Sequence, residues 1–110
     1  MKLHLGCGKR NFGEGWHHID YVDYPHVVSN DVTTLPYDDD SCDLVYASHL
    51  LEYFDRQEVV TVLKEWLRVL RKGATLRLAV PNFDVLADLY YHKTINLNQV
   101  LGSLYGRFND

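Results

Sequence analysis

The junction between the first strand pattern and a glycine turn is the feature that most constrains this chain. Leu3 and Leu5 alternate with His4, which is typical of a strand. Gly6 and Gly8 follow at once, and because neither glycine carries a Cβ, a ligand can approach the backbone there. In open α/β sheets, ligands bind at the carboxyl ends of the strands. The junction therefore predicts a ligand site directly after the first strand.

Length and composition are those of one small globular domain over residues 1–110. Hydrophobic residues make up 46% and charged residues 24% of the chain, which argues against disorder. The net charge is −4 and no run of Lys and Arg exceeds two residues, which argues against nucleic acid as a partner. No apolar run approaches a membrane span, and no signal-peptide pattern opens the chain. We therefore expect a cytoplasmic protein with Cys7 and Cys42 reduced.

The rest of the chain alternates strand and helix patterns. Strand patterns cover residues 16–22, 27–28, 42–48 and 75–80, and short helix patterns cover residues 84–91 and 98–105. Four glycines between residues 6 and 15 leave no room for a helix directly after the first strand. Strands joined by helical or loop crossovers predict an α/β fold with a mostly parallel sheet of about five strands and flanking helices.

The strongest helix pattern covers residues 57–72. Its apolar residues recur at the spacing that places them on one helix face. Asp55 and Glu58 match a capping box at the start of this helix. Lys72 and Gly73 match a helix end, with a cation in the last turn and a glycine just beyond it.

Two acidic residues lie at the carboxyl ends of consecutive strand patterns, Asp20 near the end of the second strand and Asp31 after the third. The carboxyl ends of parallel strands meet at one edge of the sheet, so these acids should lie near Gly6 and Ser48. A carboxylate after the second strand can accept both hydrogen bonds of a ribose diol. The pattern therefore predicts a nucleoside-binding pocket.

The fingerprint of a dinucleotide-binding site is incomplete in this chain. Asn11 stands in place of the third glycine, and Asp20 follows Gly8 after about a dozen residues rather than about twenty. The missing first helix would also leave a pyrophosphate without its main anchor. A nucleoside with a neutral or zwitterionic tail fits this pattern better than NAD does.

Structural roles remain open for each of these residues. Gly6 and Gly8 are also compatible with an ordinary turn between a strand and a loop. Asp20 is compatible with capping a loop, and Asp31 with an Asx-turn. His49 is as compatible with a structural role as with catalysis.

Four ordered motifs between residues 2 and 83 resemble the class I S-adenosylmethionine-dependent methyltransferases. They are Leu-His-Leu-Gly-Cys-Gly at 3–8, Gly-Trp-His-His-Ile-Asp at 15–20, Asp-Val-Thr-Thr-Leu-Pro-Tyr-Asp-Asp-Asp-Ser-Cys-Asp-Leu-Val at 31–45 and His-Leu-Leu-Glu-Tyr at 49–53. The resemblance is greatest to a short-looped bacterial branch associated with sugar and cell-envelope biosynthesis. It implies a Rossmann-like fold and S-adenosylmethionine as the cofactor, with S-adenosylhomocysteine as the product.

The resemblance also implies where the methionine end of the cofactor would bind. Gly6, Cys7 and Gly8 would pass under the methionine moiety, and Ser48 and His49 would lie beside the sulfonium and its methyl group. Methyl transfer is an in-line displacement at carbon, so positioning is the main requirement. For a hydroxyl acceptor, His49 would be the candidate catalytic base.

The adenosine end would contact residues at the carboxyl ends of the second and third strands. By the resemblance, Asp20 would bind the ribose hydroxyls and Tyr21 would flank the adenosine. Asp31 would accept a hydrogen bond from the adenine amino group, and the amide of Val32 would lie near the ring.

The expected function is methyl transfer to a small molecule, a glycan or a cell-envelope precursor. The alternatives are a non-catalytic module that binds S-adenosylmethionine or S-adenosylhomocysteine, a fragment of a larger enzyme, and a dinucleotide binder. No metal site is expected, because His17 and His18 lack further ligand-type residues at a suitable spacing.

The family usually continues with two more strands, which are missing from this sequence. Its fifth strand pattern, at residues 75–80, should therefore form an exposed sheet edge. Exposed strand edges and apolar C-terminal helices favour association, so we expect a homodimer through that edge or through those helices.

Overall fold

The computed structural model describes residues 1–80 and 83–88, which form a six-stranded sheet with one flanking α-helix. The strands are β1 (Lys2–Leu5), β2 (Trp16–Ile19), β3 (Val27–Ser29), β4 (Cys42–Ser48), β5 (Leu70–Val80) and β6 (Phe83–Asp88). The helix α1 covers Arg56–Val69, and a 3₁₀ turn at Leu51–Tyr53 precedes it. The predicted α/β fold with a mostly parallel sheet of about five strands is confirmed: β1 to β5 are parallel, and a sixth, antiparallel strand is added.

The order of the strands in the sheet is β3-β2-β1-β4-β5-β6. The chain runs outward from β1 through β2 to β3 and then crosses back to place β4 on the other side of β1. The strand order therefore reverses between β1 and β4, and the loops after these two strands diverge at their carboxyl ends. In sheets of this kind, that divergence leaves a crevice in which ligands bind.

Helix α1 supplies the apolar layer that covers one face of the sheet. Val59, Leu63 and Trp66 are fully buried and recur at helical spacing, as the sequence predicted. The capping box is also confirmed, because the Asp55 carboxylate accepts from the Glu58 amide at 2.8 Å and the Glu58 carboxylate accepts from the Asp55 amide at 2.9 Å.

The helix ends earlier than the sequence pattern predicted. It stops at Val69, and Lys72 and Gly73 already belong to β5. Leu70 is fully buried and pairs with Cys42 of β4 in extended conformation. Burial of this leucine in the sheet outweighs the continuing helical pattern, so the prediction of a helix to Lys72 was wrong.

The predicted helix at 84–91 is also wrong over its first part. Residues Phe83–Asp88 form β6, which pairs antiparallel with β5 from Val80 to Thr75. The prediction that β5 forms the sheet edge is therefore wrong as well, because β6 hydrogen-bonds to that side of it. Residues 89–91 and the predicted helix at 98–105 lie outside the described residues. No helix in the described part of the chain is long and apolar enough to cross a bilayer.

Candidate functional site

The glycine turn after β1 forms the floor of the site. Gly6 and Gly8 have φ angles of 65° and 58°, in the left-handed region that favours glycine. A Cβ at Gly6 would lie 3.2 Å from Leu50 Cδ1, whereas a Cβ at Gly8 would meet no atom within 4 Å. The turn therefore packs on the protein at Gly6 and leaves open space beside Gly8.

Asp20 holds this turn from the end of β2. Its Oδ2 accepts a hydrogen bond from the Gly8 amide at 2.8 Å, and its Oδ1 accepts from the Val22 amide at 2.9 Å. The carboxylate is buried, and charge-assisted hydrogen bonds to a buried carboxylate are among the stronger ones. The loop-capping role that the sequence left open is thus present, and each oxygen keeps a second lone pair for a ligand.

Two histidines hold the loop that replaces the usual first helix. His26 Nε2 lies 3.0 Å from the Gly8 carbonyl, which can only accept, so this nitrogen carries the proton and donates. His18 Nε2 accepts from the Phe12 amide at 2.9 Å, which requires a neutral imidazole. Burial lowers the pKa of His18 and favours that neutral form. The sequence did not indicate these roles, because the partners lie 6 and 18 positions away and no local pattern marks such pairs.

The loop after β3 brings Asp31 and Val32 to the same edge of the sheet. Asp31 Oδ1 accepts from the amide of Thr33 at 2.8 Å and from its hydroxyl at 2.5 Å, so an Asx-turn is present. These hydrogen bonds lower the pKa of the Asp31 carboxyl and keep it ionised at neutral pH. The buried Trp66 donates from Nε1 to the Val32 carbonyl at 2.8 Å and so fixes this loop to α1.

His49 lies at the end of β4 in a conformation that is uncommon for a residue with a side chain. Its φ angle is 51°, and its amide donates to the Ala79 carbonyl of β5 at 2.6 Å. Its side chain is 60% exposed, and Nδ1 lies 3.6 Å from a Glu52 carboxylate oxygen. Non-glycine residues in this region cluster at functional sites, which makes His49 a candidate for more than a packing role.

These elements surround one open cavity of about 670 Å³, a volume typical of small-molecule sites. The predicted cofactor residues that line it are Gly6, Gly8, Asp20, Tyr21, Asp31, Val32, Ser48 and His49. Lining residues that the sequence analysis missed include Asn30, Leu50, Tyr53 and Phe54. Tyr21 and Tyr53 are 84% and 80% exposed, so large aromatic faces are available at the rim.

Cys7 differs from the other predicted residues because it lines a neighbouring cavity instead. Its side chain is buried, with Sγ 3.6 Å from His26 Nε2. Burial, with a smaller contribution from the Asp20 carboxylate, raises the pKa of this thiol to about 11. Cys7 is therefore a protonated thiol at neutral pH and a poor nucleophile.

The charges around the 670 Å³ cavity favour a nucleoside over a dinucleotide. Asp20 and Asp31 line the cavity, and no Lys or Arg is among its described lining residues. Carboxylates accept hydrogen bonds from hydroxyl and amino groups, whereas they repel a pyrophosphate. No group of three or more His, Cys, Asp or Glu that could hold a metal ion occurs within residues 1–80 and 83–88.

A family model of a methyltransferase domain matches residues 7–78 of the sequence. The chain belongs to this methyltransferase family. The matched region contains Gly8, both acids and β4 with His49, and the fold is that of a class I methyltransferase that depends on S-adenosylmethionine. A search of curated proteins found no match.

Solved structures of methyltransferases share the fold of this chain. A proposed S-adenosyl-L-methionine-dependent methyltransferase of Methanococcus maripaludis superposes with a TM-score of 0.55 at 17% identity, covering 70% of this chain and 46% of that protein. A chain from the complex of the Haloferax volcanii Trm112 methyltransferase activator with a proposed methyltransferase gives a TM-score of 0.55 at 24% identity, covering 72% and 44%.

The methyltransferase CalH, solved in complex with S-adenosylhomocysteine, gives a TM-score of 0.52 at 15% identity, covering 70% of this chain and 30% of CalH. This chain thus spans less than half the length of the solved structures that it resembles. At these identities the likeness concerns the fold alone.

Proposed function

We propose that this chain binds S-adenosylmethionine in the 670 Å³ cavity and takes part in methyl transfer to a small molecule, a glycan or a cell-envelope precursor. The observation that carries the proposal is the pairing of Gly8 with Asp20. The open space beside Gly8 admits a ligand against the backbone, and the Asp20 carboxylate lies directly beside it on the cavity wall.

The lining residues fit the adenosine part of this cofactor. The free lone pairs of the Asp20 carboxylate suit two ribose hydroxyls. The Asp31 carboxylate, ionised at neutral pH, suits the adenine amino group, and the exposed ring of Tyr21 suits contact with the adenosine. The methionine tail would then extend over Gly6 and Gly8.

The bound cofactor supplies an electrophilic methyl group, and the protein supplies position and a base. Ser48 and His49 line the cavity at the end of β4, where the acceptor would meet the methyl group. For a hydroxyl acceptor, His49 Nε2 would accept the hydroxyl proton as the methyl carbon passes from the sulfonium sulfur to the acceptor oxygen and S-adenosylhomocysteine is released. The Glu52 carboxylate, 3.6 Å from Nδ1, attracts the imidazolium that results and orients the ring.

The resemblance to a branch associated with sugar and cell-envelope biosynthesis supports the acceptor class in this proposal. A non-catalytic module that binds the same cofactor is the alternative. His49, with its left-handed backbone and its carboxylate partner, favours the catalytic form.

Calorimetry with S-adenosylhomocysteine and with NAD tests the binding site. We expect S-adenosylhomocysteine to bind and to raise the melting temperature, because a ligand that binds only the folded state stabilises it. NAD should bind more weakly, because the acids of the cavity disfavour its pyrophosphate. Absence of a thermal shift at millimolar S-adenosylhomocysteine would contradict the proposal. Transfer of labelled methyl groups to a cell extract then separates an enzyme from a binding module.

A further inference from the structure

A second cavity of about 450 Å³ adjoins the first at the end of β4. The two cavities share Gly6, Ser48 and His49 as lining residues. They therefore meet at the place where the proposed function puts the transferred methyl group. A ligand in the second cavity would approach that group from the side opposite to the adenosine.

The second cavity carries the opposite charge character. Arg10 lines it together with His4 and Tyr46, and no acidic residue is among its described lining residues. A second guanidinium, that of Arg77, lies 5.7 Å from the centroid of the Tyr46 ring. The first cavity is lined by two carboxylates, in a chain whose net charge is −4. The second cavity is therefore lined by a permanent cation, Arg10, where the first is lined by two carboxylates.

The walls of the second cavity also contain a polar atom without a partner. His4 is only 2% exposed, and its Nδ1 has no hydrogen-bond partner within the described part of the chain. Its ring stacks on Phe12 at 4.0 Å and meets the Tyr46 ring edge-on at 5.2 Å. An unpaired buried nitrogen is costly, and this one belongs to a residue that lines the second cavity.

We propose that the second cavity binds the methyl acceptor as a small anion, with Arg10 paired to its carboxylate or phosphate group. This inference rests on the proposed function and names the acceptor class for the same site. A guanidinium matches the geometry of either anion with two parallel hydrogen bonds. A cavity of this size admits a metabolite or one sugar unit.

A rival role for Arg10 is to bind the methionine carboxylate of the cofactor. The two roles differ in which ligand loses affinity when the charge is removed. In the rival case, Arg10→Gln weakens S-adenosylhomocysteine but not methylthioadenosine, which lacks the amino-acid tail. In the proposed case, Arg10→Gln leaves the affinity for both nucleosides unchanged.

The anion site is tested by calorimetry on the full chain saturated with S-adenosylhomocysteine. The probes are benzoate and phenyl phosphate, with benzamide and benzyl alcohol as their neutral counterparts. Hydrogen bonds to a charged group contribute enough that each acid should bind about tenfold or more tightly than its neutral counterpart. A preference for benzoate alone indicates a carboxylate acceptor, and a preference for phenyl phosphate alone indicates a phosphorylated one. A preference for both acids over their neutral counterparts, or for one of them, supports the proposal.

Arg10→Gln should remove the preference for the acids, and Lys9→Gln is the matched control. Lys9 is the adjacent cation in the sequence but does not line the cavity, so its substitution should keep the preference. Equal binding of acids and neutral probes overturns the inference, as does an absence of binding by both acids at millimolar concentration. A preference that survives Arg10→Gln also overturns it. Binding of S-adenosylhomocysteine, measured separately, tests the proposed function, so the two failures are distinguishable.

Discussion

The buried imidazole of His4 should make the protein less stable in mild acid, and His4→Phe should reduce that effect. His4 lies in the central strand β1 and is 2% exposed. Burial is the main cause that lowers its pKa from 6.5 to about 4, and the neighbouring His18 and Arg10 lower it further. Phenylalanine fills a similar volume in this aromatic cluster and does not titrate.

The direction of this pH dependence follows from the number of protons that the folded and the unfolded state bind. Between pH 6.5 and pH 4, the unfolded chain protonates His4 and the folded chain does not, so acid favours unfolding. One pKa unit corresponds to about 1.4 kcal/mol, so the full shift costs about 3 kcal/mol below pH 4. The loss accumulates almost evenly across this window, so lowering the pH from 7 to 5 should cost about 2 kcal/mol.

Urea denaturation at pH 7 and pH 5 measures this difference. The free energy of unfolding of the wild type should fall by about 2 kcal/mol more than that of His4→Phe. His18 also has a lowered pKa, so His4→Phe keeps part of the pH dependence. His17→Phe is the matched control, because it makes the same substitution at a histidine of β2 that is only half-buried. The Nδ1 of His17 contacts the Tyr37 hydroxyl at 3.0 Å. An equal pH dependence in His4→Phe and the wild type would refute the reasoning.

Three further predictions concern the site, the helix and assembly. Asp20→Ala should lower the free energy of unfolding, measured by urea denaturation, by about 3 kcal/mol, because two hydrogen bonds to a buried carboxylate are lost. The same variant should weaken the binding of S-adenosylhomocysteine, measured by calorimetry, by about 2 kcal/mol. Unchanged affinity in the folded variant would remove Asp20 from the ribose site. Asp55→Ala should cost about 1 kcal/mol of stability through loss of the helix cap, while Asp38→Ala, outside any helix, should cost less; equal costs would show that the cap contributes nothing measurable. Light scattering should show a homodimer, and a mass near 12.8 kDa would exclude it. Because β6 pairs with β5, the edge of β5 is not available for the dimer contact.

Local sequence patterns determined most of the regular structure. The alternation at 42–48 predicted β4, and the apolar spacing with Asp55 and Glu58 predicted the start of α1. The order of Gly6, Asp20 and Asp31 along the sequence predicted a shared pocket, because parallel strands bring their carboxyl ends to one edge of the sheet. Each of these inferences depends on residues that are close in sequence or on a rule of strand connection.

The tertiary structure decided features that depend on distant partners. Residues 84–88 pair with β5, and Leu70 is buried in the sheet, so both became strand where a local pattern favoured helix. The contact of Asp20 with Gly8 and that of Trp66 with Val32 join segments that meet only after the sheet has formed. The acidic cavity and the cavity lined by Arg10 are likewise separate because the tertiary structure places Asp20 and Asp31 against one and Arg10 against the other. Side-chain periodicity records which face a residue buries, whereas these contacts depend on which other segment lies against that face.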